Sequence, residues 1–223
     1  MVKLQVSQLA FQYEQTAEKG ALLENVSFQL HAGDRACIIG KNGSGKSTLL
    51  RLIAGLIQPD SGNILLNEKY KPGTDRFKEA MAYIPDKPLV YDALTGFENK
   101  ELILSLWRIK KEKRAAYEEK FQELCEQFDL THALQKPVKH YSLGMKYKLF
   151  LISMLARSPE LIILDEPFTS LDEASQKQSI MMLKEAFKEQ CILFTSHQRY
   201  IYAELGSRFF LLENKQLKEM NLI

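Results

Sequence analysis

The chain has 223 residues, 45% of them hydrophobic and 26% charged, with 30 Lys and Arg against 28 Asp and Glu for a formal charge of +2. A chain of this length can bury a substantial apolar core without disulfides or metal, and its composition lies well away from the disordered class. The near balance of charge excludes a strongly basic nucleic-acid surface and a polyacidic tail, so partners have to be argued from local sites.

In chain order, Val2, Leu4 and Val6 alternate with polar residues, and Val26, Phe28 and Leu30 do so again, which predicts two half-buried antiparallel strands. The turn residues His31 to Asp34 precede a short apolar strand over 35–39, which runs directly into a glycine-rich loop and a helix from Lys46 toward Gly55. SGNILLN and EAMAYIP read as short strands, and the Leu-, Lys- and Glu-rich stretch from Thr95 to Asp129 reads as helices. The last third returns to alternation: LIILD, a helix over Glu173 to Gln190, CILFTS, a short helix, then RFFLLEN. Ile180, Leu183 and Phe187 give the longer helix one core face.

Strands separated by helices imply an α/β fold with a mostly parallel, covered sheet. No repeat or Pro/Gly linker marks a boundary, so residues 1–223 are expected to form one domain, with a helical subdomain at about 88–157 inserted in it. The longest apolar stretches fall far short of the roughly 20 residues a membrane span needs. The start, MVKLQVSQLAFQYEQ, lacks the plan of a signal peptide, so a cytoplasmic location is expected. Cys37, Cys125 and Cys191 are widely spaced and unpaired by motif, which predicts free thiols. The basic run RIKKEKR at 108–114 reads as a solvated helix face.

Residues 40–47, GKNGSGKS, match G-x-x-x-x-G-K-[ST] in full and sit between an apolar strand and a helix. Gly40, Gly43 and Gly45 let backbone N–H groups, together with those of Lys41, Asn42 and Ser44, converge on phosphate oxygens at a helix N-terminus. Lys46 supplies a positive charge for the β and γ phosphates, the Ser47 hydroxyl is placed to ligate Mg²⁺, and Thr48 can reach the α-phosphate. Leu161 to Leu164 followed by Asp165 is a buried strand whose carboxylate emerges at the C-terminal edge of the sheet. In a nucleoside triphosphatase that makes Asp165 the Mg²⁺ partner and leaves Glu166 to polarise an attacking water.

With YSLGM at 141–145, about twenty residues before LIILDEP, the chain resembles the ATP-binding cassette (ABC) family, whose LSGGQ signature stands at this place. SLD at 170–172 is similar to the family's D-loop, and His197 in TSH to its switch histidine. The resemblance covers nearly the whole chain and implies a P-loop NTPase fold with a RecA-like core, an N-terminal antiparallel β region and a helical subdomain. It also implies Mg²⁺-dependent ATP hydrolysis between two cassettes arranged head to tail. Ser142 and Gly144 would then act in trans, with Ser142 capping the helix that starts near Leu143. Asp172 would contact the opposing phosphate loop, and His197 would hydrogen-bond the γ-phosphate. Tyr13 resembles the aromatic residue that stacks on adenine, with Phe11 as the competing ring.

Two positions depart from the family pattern. Asp86, in AYIPDKP, stands where the family has a glutamine; a carboxylate there keeps the capacity to ligate Mg²⁺. Leu143 and Met145 replace a glycine and the glutamine of the signature. These departures resemble the subgroups that move peptides, antibiotics or lipids outward. The resemblance thus implies an ATP-hydrolysing transporter subunit, peripheral on the cytoplasmic face of the cell membrane. Its partners would be a second cassette and transmembrane permease subunits, with no nucleic acid expected. The alternatives are an ABC ATPase acting on a macromolecular assembly and a nucleotide-gated scaffold without turnover, against which Glu166 and His197 argue.

Overall fold

The computed structural model describes residues 2–13 and 20–221. Its elements run β1 (Val2–Phe11), β2 (Leu23–His31), β3 (Arg35–Ile39), α1 (Lys46–Ile53), β4 (Ser61–Leu66), α2 (Asp75–Ala80), β5 (Met81–Ile84), α3 (Gly96–Leu106), α4 (Lys111–Gln127), α5 (Leu143–Leu155), β6 (Leu161–Leu164), α6 (Glu173–Glu185), β7 (Cys191–Thr195), α7 (Arg199–Leu205), β8 (Arg208–Glu213) and β9 (Gln216–Met220). A three-stranded antiparallel sheet has the order β2-β1-β4, and a six-stranded sheet has the order β5-β6-β7-β3-β8-β9. The latter is parallel except at its β9 edge. The chain is therefore α/β with an antiparallel region at its N-terminus and a run of helices between β5 and β6.

Period-two alternation sorts the side chains of the large sheet between two cores. Leu161 and Ile163 of β6, Cys191 and Leu193 of β7, and Ala36 and Ile38 of β3 face one way. They pack there with Leu49, Leu50 and Ile53 of α1 and with Leu4, Val6 and Leu30 of the small sheet. Ile162, Leu164, Ile192 and Phe194 face the other way, onto α5, α6 and the helices before them. Burying each such aliphatic side chain contributes about 2 kcal/mol, so the large sheet is the rigid frame of the molecule. The inward residues expected of the first two strands, Leu4, Val6, Val26, Phe28 and Leu30, are buried; the side chain of Val2 lies outside the described residues.

Three local expectations change. EAMAYIP is not one strand: Glu79 and Ala80 finish α2, whose start is fixed by the Thr74 hydroxyl accepting from Phe77 N, and the strand begins at Met81. The helix begun at Glu173 stops at Glu185, although Ile180, Leu183 and Phe187 are all buried. β9 was not foreseen, because its residues are mostly exposed and carry no strong alternation. The three cysteines are free and buried, and burial pushes each thiol up to about 12, which keeps them as inert apolar groups.

The helices between β5 and β6 are pinned where they meet the sheet. Thr95 and Glu98 form a reciprocal capping box at the start of α3. Asn99, one turn on, receives Tyr91 N and donates to Tyr91 O, so the segment after β5 is held against α3. Along 108–114, Arg114 pairs with Glu101 and Glu118 and Lys113 lies 4.0 Å from Glu79, as a solvated, charge-balanced face would.

Candidate active site

β3 is flanked by β7 and β8, and β6 lies beyond β7, so the loops leaving the C-terminal ends of β3, β6 and β7 gather at one edge. In parallel α/β sheets this is where ligands bind. The glycine-rich loop leaves β3. Gly40 has no room for a side chain, since a Cβ there would lie 2.5 Å from Leu212 O, and Gly45 turns into α1 with φ 103°, a conformation that favours glycine. The free N–H groups at the start of α1 thereby face a cleft of about 600 Å³, a size suited to a small ligand.

The Lys46 side chain is buried and donates to Gly40 O at 2.9 Å and Lys41 O at 3.2 Å. Two of the three donors of an ammonium are so occupied, which aims the charge across the loop and leaves a donor for an anion. Ser47, next on α1, donates to Asp165 Oδ1 at 2.9 Å. Asp165 follows β6 and is almost wholly buried; its Oδ1 also accepts from the Thr195 hydroxyl at 3.0 Å and its Oδ2 from Tyr83 at 3.3 Å. Burial, and then the charge of Asp165, push the Tyr83 phenol up to about 12, so it remains a proton donor.

Glu166 adopts φ 47°, an unusual left-handed conformation for its residue type, fixed by its N–H donating to Thr195 Oγ1 at 2.9 Å. Its side chain turns into the cleft. His197 N donates to Glu166 Oε2 at 3.0 Å, and His197 Nε2 stands 3.1 Å from Oε1. That Oε1 is buried yet makes no aligned hydrogen bond, as does the Ser44 hydroxyl in the loop. A carboxylate oxygen without a hydrogen bond keeps acceptor capacity for a donor that reaches it.

Of the residues expected to bind nucleotide, Tyr13, Asn42, Gly43, Gly45, Lys46, Ser47 and Thr48 line the cleft, together with Glu166 and His197. Gly40, Lys41 and Ser44 lie on the outer side of the loop, against the turn between β8 and β9. Tyr13 is 38% exposed, with its hydroxyl 3.1 Å from Thr48 Oγ1, whereas Phe11 is buried and meets the Tyr13 ring edge-on. The ring open to a ligand is thus that of Tyr13. Tyr13→Ala is expected to weaken ATP binding about tenfold with a smaller loss for Tyr13→Phe, measured by calorimetry; equal affinities would remove the ring from recognition.

Ser142, Gly144, Asp172 and Asp86 are not on this cleft. The Ser142 hydroxyl caps α5, accepting from Met145 N at 3.1 Å. Gly144 approaches the turn before α6 so closely that a Cβ would lie 3.1 Å from Ser170 O. Asp172 caps α6, and hydrogen bonds from the Ser175 amide and hydroxyl hold its carboxyl below the usual range. Asp86 is exposed in the turn after β5, and among the described residues no hydrogen bond joins it to Ser47 or Asp165. Tyr83 and Thr195 went unnamed in the sequence. A polar residue closing an apolar strand, as in MAYI and CILFT, was the available signal.

A family model described as ABC transporter matches residues 23–169. The chain belongs to this family. The ABC-type transporter ATP-binding protein EcsA of Bacillus subtilis is 31% identical over 202 residues, covering 90% of this chain and 81% of that protein. The molybdate/tungstate import ATP-binding protein WtpC of Thermococcus kodakarensis is 32% identical over 200 residues, covering 89% of this chain and 60% of that one. The ABC chain spans 63% of the relative YdbJ and 64% of YxlF, both from Bacillus subtilis. A solved ATP-binding subunit of an ABC transporter superposes with a TM-score of 0.87 at 30% identity, covering 99% of this chain and 90% of that one. An ATP-binding cassette dimer, in a post-hydrolysis state with ADP and Pi, shares the fold at a TM-score of 0.80 and 20% identity, covering 99% and 100% of the two chains. The fold is that of a P-loop NTPase.

Proposed function

We propose that residues 1–223 form a single ABC ATP-binding domain, with a helical subdomain at about 88–157, and that it hydrolyses ATP to drive solute movement by membrane-spanning permease subunits. The observation that carries the reading is the convergence of Lys46, Ser47, Glu166 and His197 on one cleft at the ends of β3, β6 and β7, with the buried Asp165 bonded to Ser47 behind it. Lys46 and the N-terminus of α1 neutralise the β and γ phosphates, and the ring of Tyr13 receives the adenine. Glu166, with one oxygen held by His197 N and the other unsatisfied, orients the attacking water and takes its proton. His197 reaches the γ-phosphate from beside that carboxylate.

The oxygens of Ser47 and Asp165, 2.9 Å apart at the foot of the cleft, fit Mg²⁺, a hard cation that takes few protein ligands and keeps water and phosphate oxygens. When bound, Mg²⁺ would neutralise charge on the β and γ oxygens. Asp86 stands outside that pair, and its proposed role is to sense the metal through water as the turn after β5 moves.

Ser142 and Gly144 open a capped helix away from their own cleft, which suits them to close the cleft of a second cassette, with Asp172 meeting the opposing loop. Among the described residues no helix is long and apolar enough to cross a membrane. The permease subunit of this reading would dock on the segment after β5 and the start of α3, where Leu89 (67% exposed), Tyr91 (61%) and Phe97 (44%) are exposed and Asn99 of α3 bonds the Tyr91 backbone. The outward direction rests on Asp86 and the 141–145 signature. WtpC, by its name an importer, represents the opposite direction.

Affinity capture from detergent-solubilised membranes tests the transporter reading. The wild-type chain is expected to bring down a polytopic membrane protein, and Leu89→Asp with Phe97→Asp to lose it while still binding ADP. Recovery of macromolecular assemblies without membrane protein would favour the alternative ABC role.

A further inference from the structure

The metal-side carboxylate is gripped on both oxygens, and the grip on its outer side comes from residues with no assigned part in the site. Asp165 Oδ1 is shared between the Ser47 and Thr195 hydroxyls, at 2.9 and 3.0 Å, while Oδ2 accepts from the Tyr83 phenol, at 3.3 Å. Tyr83 lies on β5, whose Ile84 pairs with Leu164 of β6 and whose Ile84 O receives Asp165 N at 2.9 Å. The backbone and the side chain of Asp165 are thus tied to adjacent residues of the neighbouring strand, Ile84 and Tyr83. The phenol also interacts with the Arg51 guanidinium on α1, the helix that carries Lys46 and Ser47.

We propose that Tyr83, backed by Arg51, is a positioning residue that orients Asp165 toward Mg²⁺, so that β5 and α1 jointly set how strongly the nucleotide site uses its metal. A carboxylate free to rotate about its terminal torsion would present a bonding oxygen to the metal only part of the time. With Oδ1 held by Ser47 and Thr195, the phenol adds a restraint from the Oδ2 side and narrows that torsion further. Tyr83 also lies three residues ahead of Asp86, so a displacement of the turn after β5 would reach Asp165 through the phenol rather than through Asp86 itself.

The inference rests on the cleft being a Mg²⁺-nucleotide site, and the experiment separates the two. ADP affinity is measured by calorimetry with Mg²⁺ and with EDTA, for the wild type, Tyr83→Phe and Arg51→Gln. Tyr83→Phe keeps the ring and is expected to lower the Mg²⁺-dependent gain in ADP affinity about threefold to tenfold, with EDTA-state affinity within about twofold of wild type. Arg51→Gln is expected to lower the same gain by a smaller factor. An unchanged gain in Tyr83→Phe, or an equal loss with and without Mg²⁺, would overturn the positioning role. If Tyr83→Phe does not fold, an unchanged gain in Arg51→Gln overturns it. Absence of ADP binding by the wild type would instead sink the reading of the cleft.

Discussion

Lys46→Ala is expected to lower ATP affinity on the order of a hundredfold, about 3 kcal/mol, with the fold intact. The ammonium is buried in the loop, and its geometry explains the size of the effect. It bridges the carbonyls of Gly40 and Lys41, so removing it withdraws the positive charge from the phosphates and also leaves two carbonyls of the loop without their donor. Lys41 does not replace that charge, because it lies on the outer side of the loop. Titration with a fluorescent ATP analogue reads the loss, and circular dichroism checks the fold. Affinity within about threefold of wild type would remove Lys46 from phosphate recognition.

Glu166→Gln is expected to lower turnover by about 10² to 10⁴ while ATP still binds. An amide keeps the size of the side chain and can still accept from His197 N, but it cannot take a proton from water. The variant should therefore hold unhydrolysed ATP, and the closed pair of cassettes should outlive the measurement. Light scattering is expected to report a doubled mass for Glu166→Gln with ATP and Mg²⁺, and the single-chain mass with ADP. Turnover close to wild type would assign water activation to another group, and His197, 3.1 Å from the same carboxylate, would be the next candidate.

The parts of this site that were legible in the sequence are those in which local backbone and chemistry coincide. GKNGSGKS states its own conformation: a residue with no Cβ where Leu212 O approaches, a left-handed glycine at the helix entry, then the lysine and serine of the first helical turn. LIILDEP likewise announces a buried strand that ends on an acid. The fold class followed from the alternation of strands and helices, and the capping role of Ser142 from its place before a helix.

The contacts that required the structure are those made between strands. That Tyr83 and Thr195 flank Asp165 depends on β5 and β7 lying on either side of β6, with Ile84 opposite Leu164 and Leu164 opposite Phe194. Strand order and register are tertiary facts; the periodicity of MAYI or CILFT gives a strand but not its neighbour. The same holds for Asp86, whose place in the chain says nothing of how far its carboxylate stands from Ser47. The helix boundary inside EAMAYIP was missed because Glu and Ala favour helix while Tyr and Ile favour strand, and the Thr74 cap that settles the boundary lies upstream.

Stoichiometric ATP binding tests the central claim most directly. Equilibrium calorimetry with Mg²⁺ is predicted to give one ATP per chain for Glu166→Gln and saturable nucleotide binding for the wild type, with binding on the order of a hundredfold weaker in Lys46→Ala. No saturable binding by the wild type, or binding that persists unchanged in Lys46→Ala, would contradict it.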